Sequence, residues 1–333
     1  MDEPDDLGEL SELSGLSGLS EHRLQPLALG LDIGGTKIAG GLVAPDGTIR
    51  HRATSPTPHP GNREGSGGLG DPGSLGDPGL GESYRVAAEL LAHARSHGWP
   101  VAGLGIGVPE YVTAAGELSS RLVLAWDRQP LELFAPLGLV TVDSDVRCAA
   151  RAESALGAGR GVHHLLYVTV GTGLSSTVVL DGAAVSGARG EAIAFGELPV
   201  ARSAAPDELG NLESFASGEG IASRFRAADG GPVDGAAQVL VLADQGHQLA
   251  QQITDTAAAA LGAALGWVVD LLDPQVVVLG GGLGTSTGRW ADGVQAAFSL
   301  ATSARPGAPP LLRAALGPDA GLIGAALAHR TAS

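Results

Sequence analysis

Three glycine-bearing turns in this sequence have the residue types to hold an anion. They are Asp32-Ile33-Gly34-Gly35-Thr36-Lys37, Thr169-Val170-Gly171-Thr172-Gly173 and Gly280-Gly281-Gly282, and each follows an apolar run that reads as a strand. Glycine lets the backbone approach a ligand closely, and successive N–H groups with a threonine hydroxyl can cradle phosphate oxygens. The spacing is neither that of a P-loop, GxxxxGKS/T, nor that of a Rossmann turn, GxGxxG. With 52 glycines in the chain, any one of these turns taken alone is equally an ordinary tight turn. Lys37 is the only lysine, and its charge reads either as a phosphate partner or as a solvated surface group. Asp145 stands directly before the helix-like run VRCAARAESAL, a position that free backbone donors favour as an N-cap.

The elements that must position these residues fall into two similar halves. From Leu27 the segments LALGLDIGG, KIAGGLVAP and TIRHRAT predict a β-meander. Residues 56–83, rich in glycine and proline with two copies of LGDPG, are expected to form a flexible surface insertion. A helix over YRVAAELLAHARSHGWP follows, stopped by Gly98 and Pro100, then a buried strand VAGLGIGVP and a shorter one, LVTVDSD. The second half repeats the order. A hairpin of HLLYVTVGTG and LSSTVVLDG precedes alanine-rich helices around 213–228 and 236–272, then the apolar strand QVVVLGGG, strand LLRAAL and helix AGLIGAALAHR. Two copies of a strands-then-helices unit predict two α/β lobes around a cleft. The expected boundaries are a disordered leader at 1–26, an N-terminal lobe at 27–141, a C-terminal lobe at 142–317 and a closing helix at 318–333 that packs back on the N-terminal lobe.

Composition narrows the partners. A chain of 333 residues with 44% hydrophobic content can bury a sizeable core, and its length favours two domains. The formal net charge is −16, from 36 acidic and 20 basic residues, and no basic stripe follows a phosphate backbone, so nucleic acid and anionic membrane are not expected partners. Cys148 is the only cysteine, which rules out an intramolecular disulfide and fits a reducing cytoplasm. The acidic start is unlike a secretory signal, and polar or glycine residues break every apolar run short of the roughly 18 residues of a membrane span. A soluble, cytoplasmic protein is expected.

The paired DIGGTK and TVGTG turns resemble the two phosphate loops of the hexokinase/actin/Hsp70 superfamily. The resemblance narrows to the ROK family of repressors, open reading frames and sugar kinases. Its carriers are LGLDIGGTKIAGGLV, GLGIGVPEYV, LAWDRQPL, VTVDSDVRCAARAE, LLYVTVGTGLSSTVVLDG, GEAIAFGELPV, LESFASGEGI, LDPQVVVLGGGL and the closing GLIGAALA, in the family's order from residue 27 onward. The resemblance implies an α/β fold of the two-lobed, actin-like ATPase (ribonuclease H-like) type with a central cleft. It implies ATP with Mg²⁺, the phosphates lying against residues 34–37 and 171–173 and the adenosine near Gly280, Gly281 and Gly282. Asp145 matches the family's base, the aspartate that takes a substrate hydroxyl proton during phosphoryl transfer. Asp32 matches the metal- and phosphate-associated aspartate, acting on Mg²⁺ through water. Ser144, Glu197 and Glu213 match sugar-facing positions, and a homodimer is expected.

The departures from the family cluster at the substrate and zinc positions. Gly196-Glu197-Leu198-Pro199-Val200 lacks the family's histidine, and ARSAAPDELGNLE replaces its cysteine cluster, so no structural zinc is expected. Ser144 stands for an asparagine, Glu110 for a glycine, and an apolar residue in RLVLAW for an asparagine before Trp126. The second glycine loop continues with Leu174-Ser175-Ser176 rather than a glycine-rich run. Losing hydrogen-bond partners from a polar pocket rejects the original ligand, so the expected acceptor is a modified sugar or a seven-carbon cyclitol rather than plain glucose. The alternatives are a non-catalytic regulator that binds a nucleotide or metabolite, and a generic actin-like ATPase. Repressor members carry a winged helix ahead of the first glycine turn, for which the 31 residues before Asp32 are too few and too acidic.

Overall fold

Apolar patterning separates central strands from edge strands. β1 (Leu27–Ile33) is buried almost throughout, as a strand covered on both faces must be, whereas β3 (Ile49–Pro56) alternates between half-buried and exposed residues. With β2 (Lys37–Val43) between them, they form an antiparallel meander. The computed structural model describes residues 25–58, 78–124, 126–192, 194–200 and 210–331. Residues 1–24 of the expected leader and 59–77 of the expected insertion lie outside the described residues.

After α1 (Pro78–Ser96), β4 (Val101–Val108) runs parallel to β1. The short α2 (Pro130–Phe134) leads to β5 (Val140–Ser144), parallel to β4 and completing a sheet of order β3-β2-β1-β4-β5. The chain then crosses through α3 (Asp145–Leu156) to a second hairpin, β6 (His164–Val170) and β7 (Leu174–Leu180), extended by β8 (Ala183–Ala184). Helices α4 (Leu212–Ala216), α5 (Gly218–Ala227), α6 (Ala236–Asp244) and α7 (Gln248–Leu272) precede β9 (Val276–Gly280), α8 (Gly281–Gly284), α9 (Arg289–Ala301), β10 (Leu311–Arg313) and α10 (Ala320–Thr331). The second sheet, β10-β9-β6-β7-β8, repeats the first: an antiparallel meander with two further strands parallel to its first member.

Three sequence boundaries need correction. Residues 78–83 belong to α1 rather than to the insertion, because Leu80 buries its side chain in the first core and the Ser83 hydroxyl donates to the Gly79 carbonyl at 2.7 Å. Tertiary packing and a proline at the helix start outweigh the glycine-rich composition there. The boundary at 142 falls inside β5, whose whole length pairs with β4 and so belongs to the first sheet. The helical stretch expected over 236–272 is two helices, broken at Gly246 with φ +95°. By length and composition α7 could cross a membrane. Half of its apolar window is buried in the core of the second lobe.

Helices cover both faces of the first sheet. A side chain at Gly40 would meet Val86 and Leu90 of α1, and one at the adjacent Gly41 would meet Leu322 of α10. α10 lies so close that a Cβ at Gly105 would run into the Ala325 carbonyl, and one at Gly324 into the Cys148 carbonyl of α3. α3 is thus held from both sides, with Ala152 against Leu322, Ile323 and Ala326, and Val146 and Ala150 against Leu165, Tyr167 and Val276 of the second sheet. Gly324→Ala is expected to destabilise the chain by about 2 kcal/mol or more, the usual scale of overpacking where backbone must move. A thermal midpoint equal to the parent's would show that α10 is not seated at this distance.

Candidate active site

Strand register sets the first half of the site. Asp32 pairs with Gly107 and Val108 with Ser144, so the carboxyl ends of β1, β4 and β5 bring Asp32, the Glu110 turn and the start of α3 to one edge. Ligands of α/β folds bind at such edges. Asp145 and Asp32 flank Gly107, where an added Cβ would sit 3.6 Å from the Asp145 Cα. Asp32 also reaches the first turn of α10, since a Cβ at Gly321 would lie 2.6 Å from its Oδ2.

Ser144 is the N-cap of α3, its hydroxyl accepting from the Arg147 N–H at 3.4 Å, while Asp145 is the first helical residue and accepts from the Val146 N–H at 2.6 Å. The capping role that the sequence offered to Asp145 therefore falls to its neighbour. Burial pushes the Asp145 carboxyl up to about 7, aided by the charges of Asp32 and Glu110 and opposed by the Val146 N–H and Arg147. Burial likewise raises Asp32 to about 6, against the pull of Lys37.

The second sheet supplies the matching edge. β6 and β9 are parallel with Thr169 opposite Gly280, which sets Gly171, Thr172 and Gly173 beside Gly280, Gly281 and Gly282. The start of α5 holds the first of these loops: the Gly218 and Glu219 N–H groups donate to the Gly171 and Thr172 carbonyls at 2.7 and 3.1 Å. Side chains added at Gly171 or Gly282 would meet nothing within 4 Å, so both face open space. In the first sheet Gly34, Gly35, Thr36 and Lys37 form the β1–β2 turn, closed by the Gly34 N–H to the Lys37 carbonyl at 2.9 Å, with Thr36 and Lys37 exposed.

Glu213 accepts from the Leu174 N–H at 2.8 Å and Glu197 from the Asn211 amide at 3.1 Å. Both carboxylates are exposed, and burial together with the charges of Glu197, Glu191 and Glu213 raises the hydroxyl of Tyr111, which follows β4. Asp32, Asp145 and the first glycine hairpin thus share one edge of the first sheet, Glu213 sits beside the second hairpin, and Tyr111 lies within electrostatic reach of Glu197 and Glu213. Ser144 is fully buried, with its hydroxyl turned into the helix cap rather than toward the cleft. Among the described residues no group of three or more His, Cys, Asp or Glu could hold a metal ion. A cavity of about 410 Å³ beside Leu27, Asp46, Arg50 and Trp99 lies at the opposite ends of the strands and holds neither Asp32 nor Asp145.

Two charged residues of the site were not assigned a role from sequence. Arg147 is fully buried and joins three segments: the Asp143 carboxylate, the Val112 carbonyl at 2.5 Å and the Gly190 carbonyl at 3.3 Å. It ties the turn after β4 to the loop after β8, across the two lobes. Glu110 is buried too, and gathers donors from Ser120, residues 122–124 and Trp126. The available signal was a charge: Glu110 stands where the resembled family has glycine, and Arg147 where its Asn-Asp-Ala-Asn turn ends in asparagine, and fully buried charges require partners.

Comparison with known proteins gives the family and the fold. Residues 85–331 match the ROK family. The chain is 31% identical over 300 residues to the bifunctional enzyme NanE/NanK of Brucella suis, covering 90% of this chain and 52% of that one, so it spans about half the length of that relative. It is 32% identical to the N-acetylmannosamine kinase of Escherichia coli, covering 90% of this chain and 97% of the other. A ROK family glucokinase from Streptomyces griseus, solved with glucose and AMPPNP, superimposes with a TM-score of 0.70 at 28% identity, covering 92% of this chain and 99% of that one.

The raised carboxyl of Asp145 has a consequence for stability. Between its ordinary value of 3.8 and about 7 the folded chain holds a proton that the unfolded chain releases, so ionising Asp145 subtracts stability as pH rises through this window. Asp145→Asn should therefore raise the thermal midpoint at pH 8 and leave it nearly unchanged at pH 4. A variant less stable than the parent at pH 8 would contradict this electrostatic account.

Proposed function

The chain belongs to the ROK family, and on that premise we propose that it is an ATP-dependent kinase that phosphorylates a sugar hydroxyl, with Asp145 as the base. The observation that carries the proposal is Asp145 itself. Its carboxyl lies at the carboxyl edge of the first sheet, beside Asp32, with a pKa raised to about 7, where a general base works near neutral pH.

The residues present fit a nucleotide. Gly171 and Gly282 border open space, and the N–H groups and hydroxyls of the two hairpins supply donors for phosphate oxygens. Gly34, Gly35, Thr36 and Lys37 on one lobe and Gly171, Thr172 and Gly173 on the other would take the phosphates, with Gly280, Gly281 and Gly282 beside the adenosine. Mg²⁺, when bound, supplies neutralisation of phosphate charge, and Asp32 is the residue to hold it, through water. Glu197 and Glu213 accept hydrogen bonds from acceptor hydroxyls, and Asp145 receives the proton of the hydroxyl that attacks. Lobe closure excludes water, which favours transfer to the acceptor over hydrolysis.

The acceptor we propose is a sugar. A cyclitol draws no support from the named relatives, which are a glucokinase, an N-acetylmannosamine kinase and NanE/NanK. The proposed partner in solution is a second copy of the chain, since Trp267 and Leu271 of α7 and Leu300 of α9 are exposed large apolar side chains.

The test is an ATP-consumption assay with Mg²⁺ against glucose, N-acetylglucosamine, N-acetylmannosamine and a cyclitol set. Turnover on a sugar is expected, with Asp145→Asn folded and reduced at least about 100-fold. The base must be ionised, so kcat/KM should fall about tenfold per pH unit below about 7. Near-normal activity in Asp145→Asn would sink the assignment of the base. ATP binding without turnover on any acceptor would move the reading to a regulatory protein.

A further inference from the structure

The Glu110 carboxylate has no part in the mechanism above, yet it is saturated with donors. Its Oε1 accepts from the Val123 N–H at 2.8 Å, the Leu124 N–H at 3.1 Å and the Trp126 indole at 3.2 Å. Its Oε2 accepts from the Ser120 hydroxyl at 2.5 Å and the Leu122 N–H at 2.7 Å. The Ser120 hydroxyl accepts in turn from the Tyr111 N–H at 2.8 Å. A carboxylate that is 2% exposed is thus the shared acceptor for Ser120, Leu122, Val123, Leu124 and Trp126. Such charge-assisted bonds are among the stronger ones available to a loop.

The arch turns its backbone donors inward and the Leu122 and Val123 side chains outward, while Leu124 packs against the first core. Leu122 is 72% exposed and Val123 53%, large fractions for aliphatic residues beside a cleft. Val123 leans over the first glycine turn, its Cγ1 lying 3.3 Å from where a Cβ at Gly35 would stand. Glu110, which holds the Val123 N–H, also lies near enough to Asp145 for its charge to raise that carboxyl, so Val123 stands by the Gly35 turn and in the neighbourhood of the proposed base. With the 122–124 amides committed to Glu110, the arch offers an acceptor a branched aliphatic surface in place of hydrogen-bond donors. A sugar hydroxyl pressed against that surface would lose its water partners, whereas an acyl methyl group would gain contact.

Resting on the kinase reading above, we infer that Val123 is a specificity-determining residue and Glu110 the positioning residue that sets it. Together they form an apolar wall that selects an N-acylated sugar over its hydroxylated parent.

The test compares kcat and KM for glucose against N-acetylglucosamine and mannose against N-acetylmannosamine, in the parent, Val123→Thr and Glu110→Gln proteins. The parent should favour the N-acyl member of one pair by at least about tenfold in kcat/KM, the scale set by a small apolar group in a pocket. Val123→Thr keeps the shape and replaces a methyl with a hydroxyl. It should shrink that ratio about tenfold through KM, with kcat within about threefold. Glu110→Gln turns one acceptor oxygen into a donor facing N–H groups, and should raise KM and abolish the preference. An unchanged ratio in Val123→Thr overturns the inference, whether or not Glu110→Gln folds. If the parent turns over no sugar, the kinase reading falls, and calorimetric affinities for the same pairs with AMPPNP present decide the wall separately. A preference that Val123→Thr reduces supports it; no preference, or no binding, overturns it.

Discussion

The contact of α10 with the first sheet and with α3 is the constraint on which the rest of the molecule depends. Backbone meets backbone at Gly105 and Gly324 with no room for a single methyl group. The last helix in sequence therefore completes the first lobe, and it holds α3 from one side while the second sheet holds it from the other. Glu153 of α3 adds to this, fully buried and accepting from the Ala315 and Leu316 N–H groups at 3.0 and 2.7 Å just ahead of α10. Because Asp145 is the first residue of α3, its position is set by packing of residues far from it in sequence.

Carboxylates in this fold divide by how many donors surround them. Glu110 and Glu153 are buried and accept from several backbone N–H groups each, so their charges organise loops. Asp32 and Asp145 lie deep among protein atoms beside each other with few compensating donors, and their pKa values rise to about 6 and about 7. Such unfavourable ionisation is what the proposed base requires, since it keeps a proton acceptor poised near neutral pH at the expense of stability. The charge of Glu110 joins the two classes, because it folds an arch and also raises Asp145.

The duplicated topology gives the two glycine motifs equivalent places in the two halves. Each sheet opens with an antiparallel hairpin and continues with two parallel strands, so each places its glycine turn at the carboxyl end of its first strand. Arg147 spans from the turn after β4 to the loop after β8 and fixes how the two halves meet. Across that junction Tyr111 feels the charges of Glu197 and Glu213.

The order of elements, the two α/β units, the glycine turns and the family were all readable in the residues. Each rests on patterns local to the chain: the period of apolar residues, glycine where a hairpin turns, a carboxylate ahead of a helix. Composition misjudged residues 78–83 because the burial of Leu80 is decided by a sheet that it meets only after folding. A linear reading likewise could not distinguish Asp145 as cap from Asp145 as open carboxylate, since Ser144 and Asp145 are both capping residues and only helix geometry chose the serine. Arg147, Glu110 and Glu153 were legible as charges and nothing more. Their partners lie up to 43, 16 and 163 residues away. Only the tertiary structure brings such groups within hydrogen-bond distance, and it decides which carboxylate organises a loop and which is left buried with few donors.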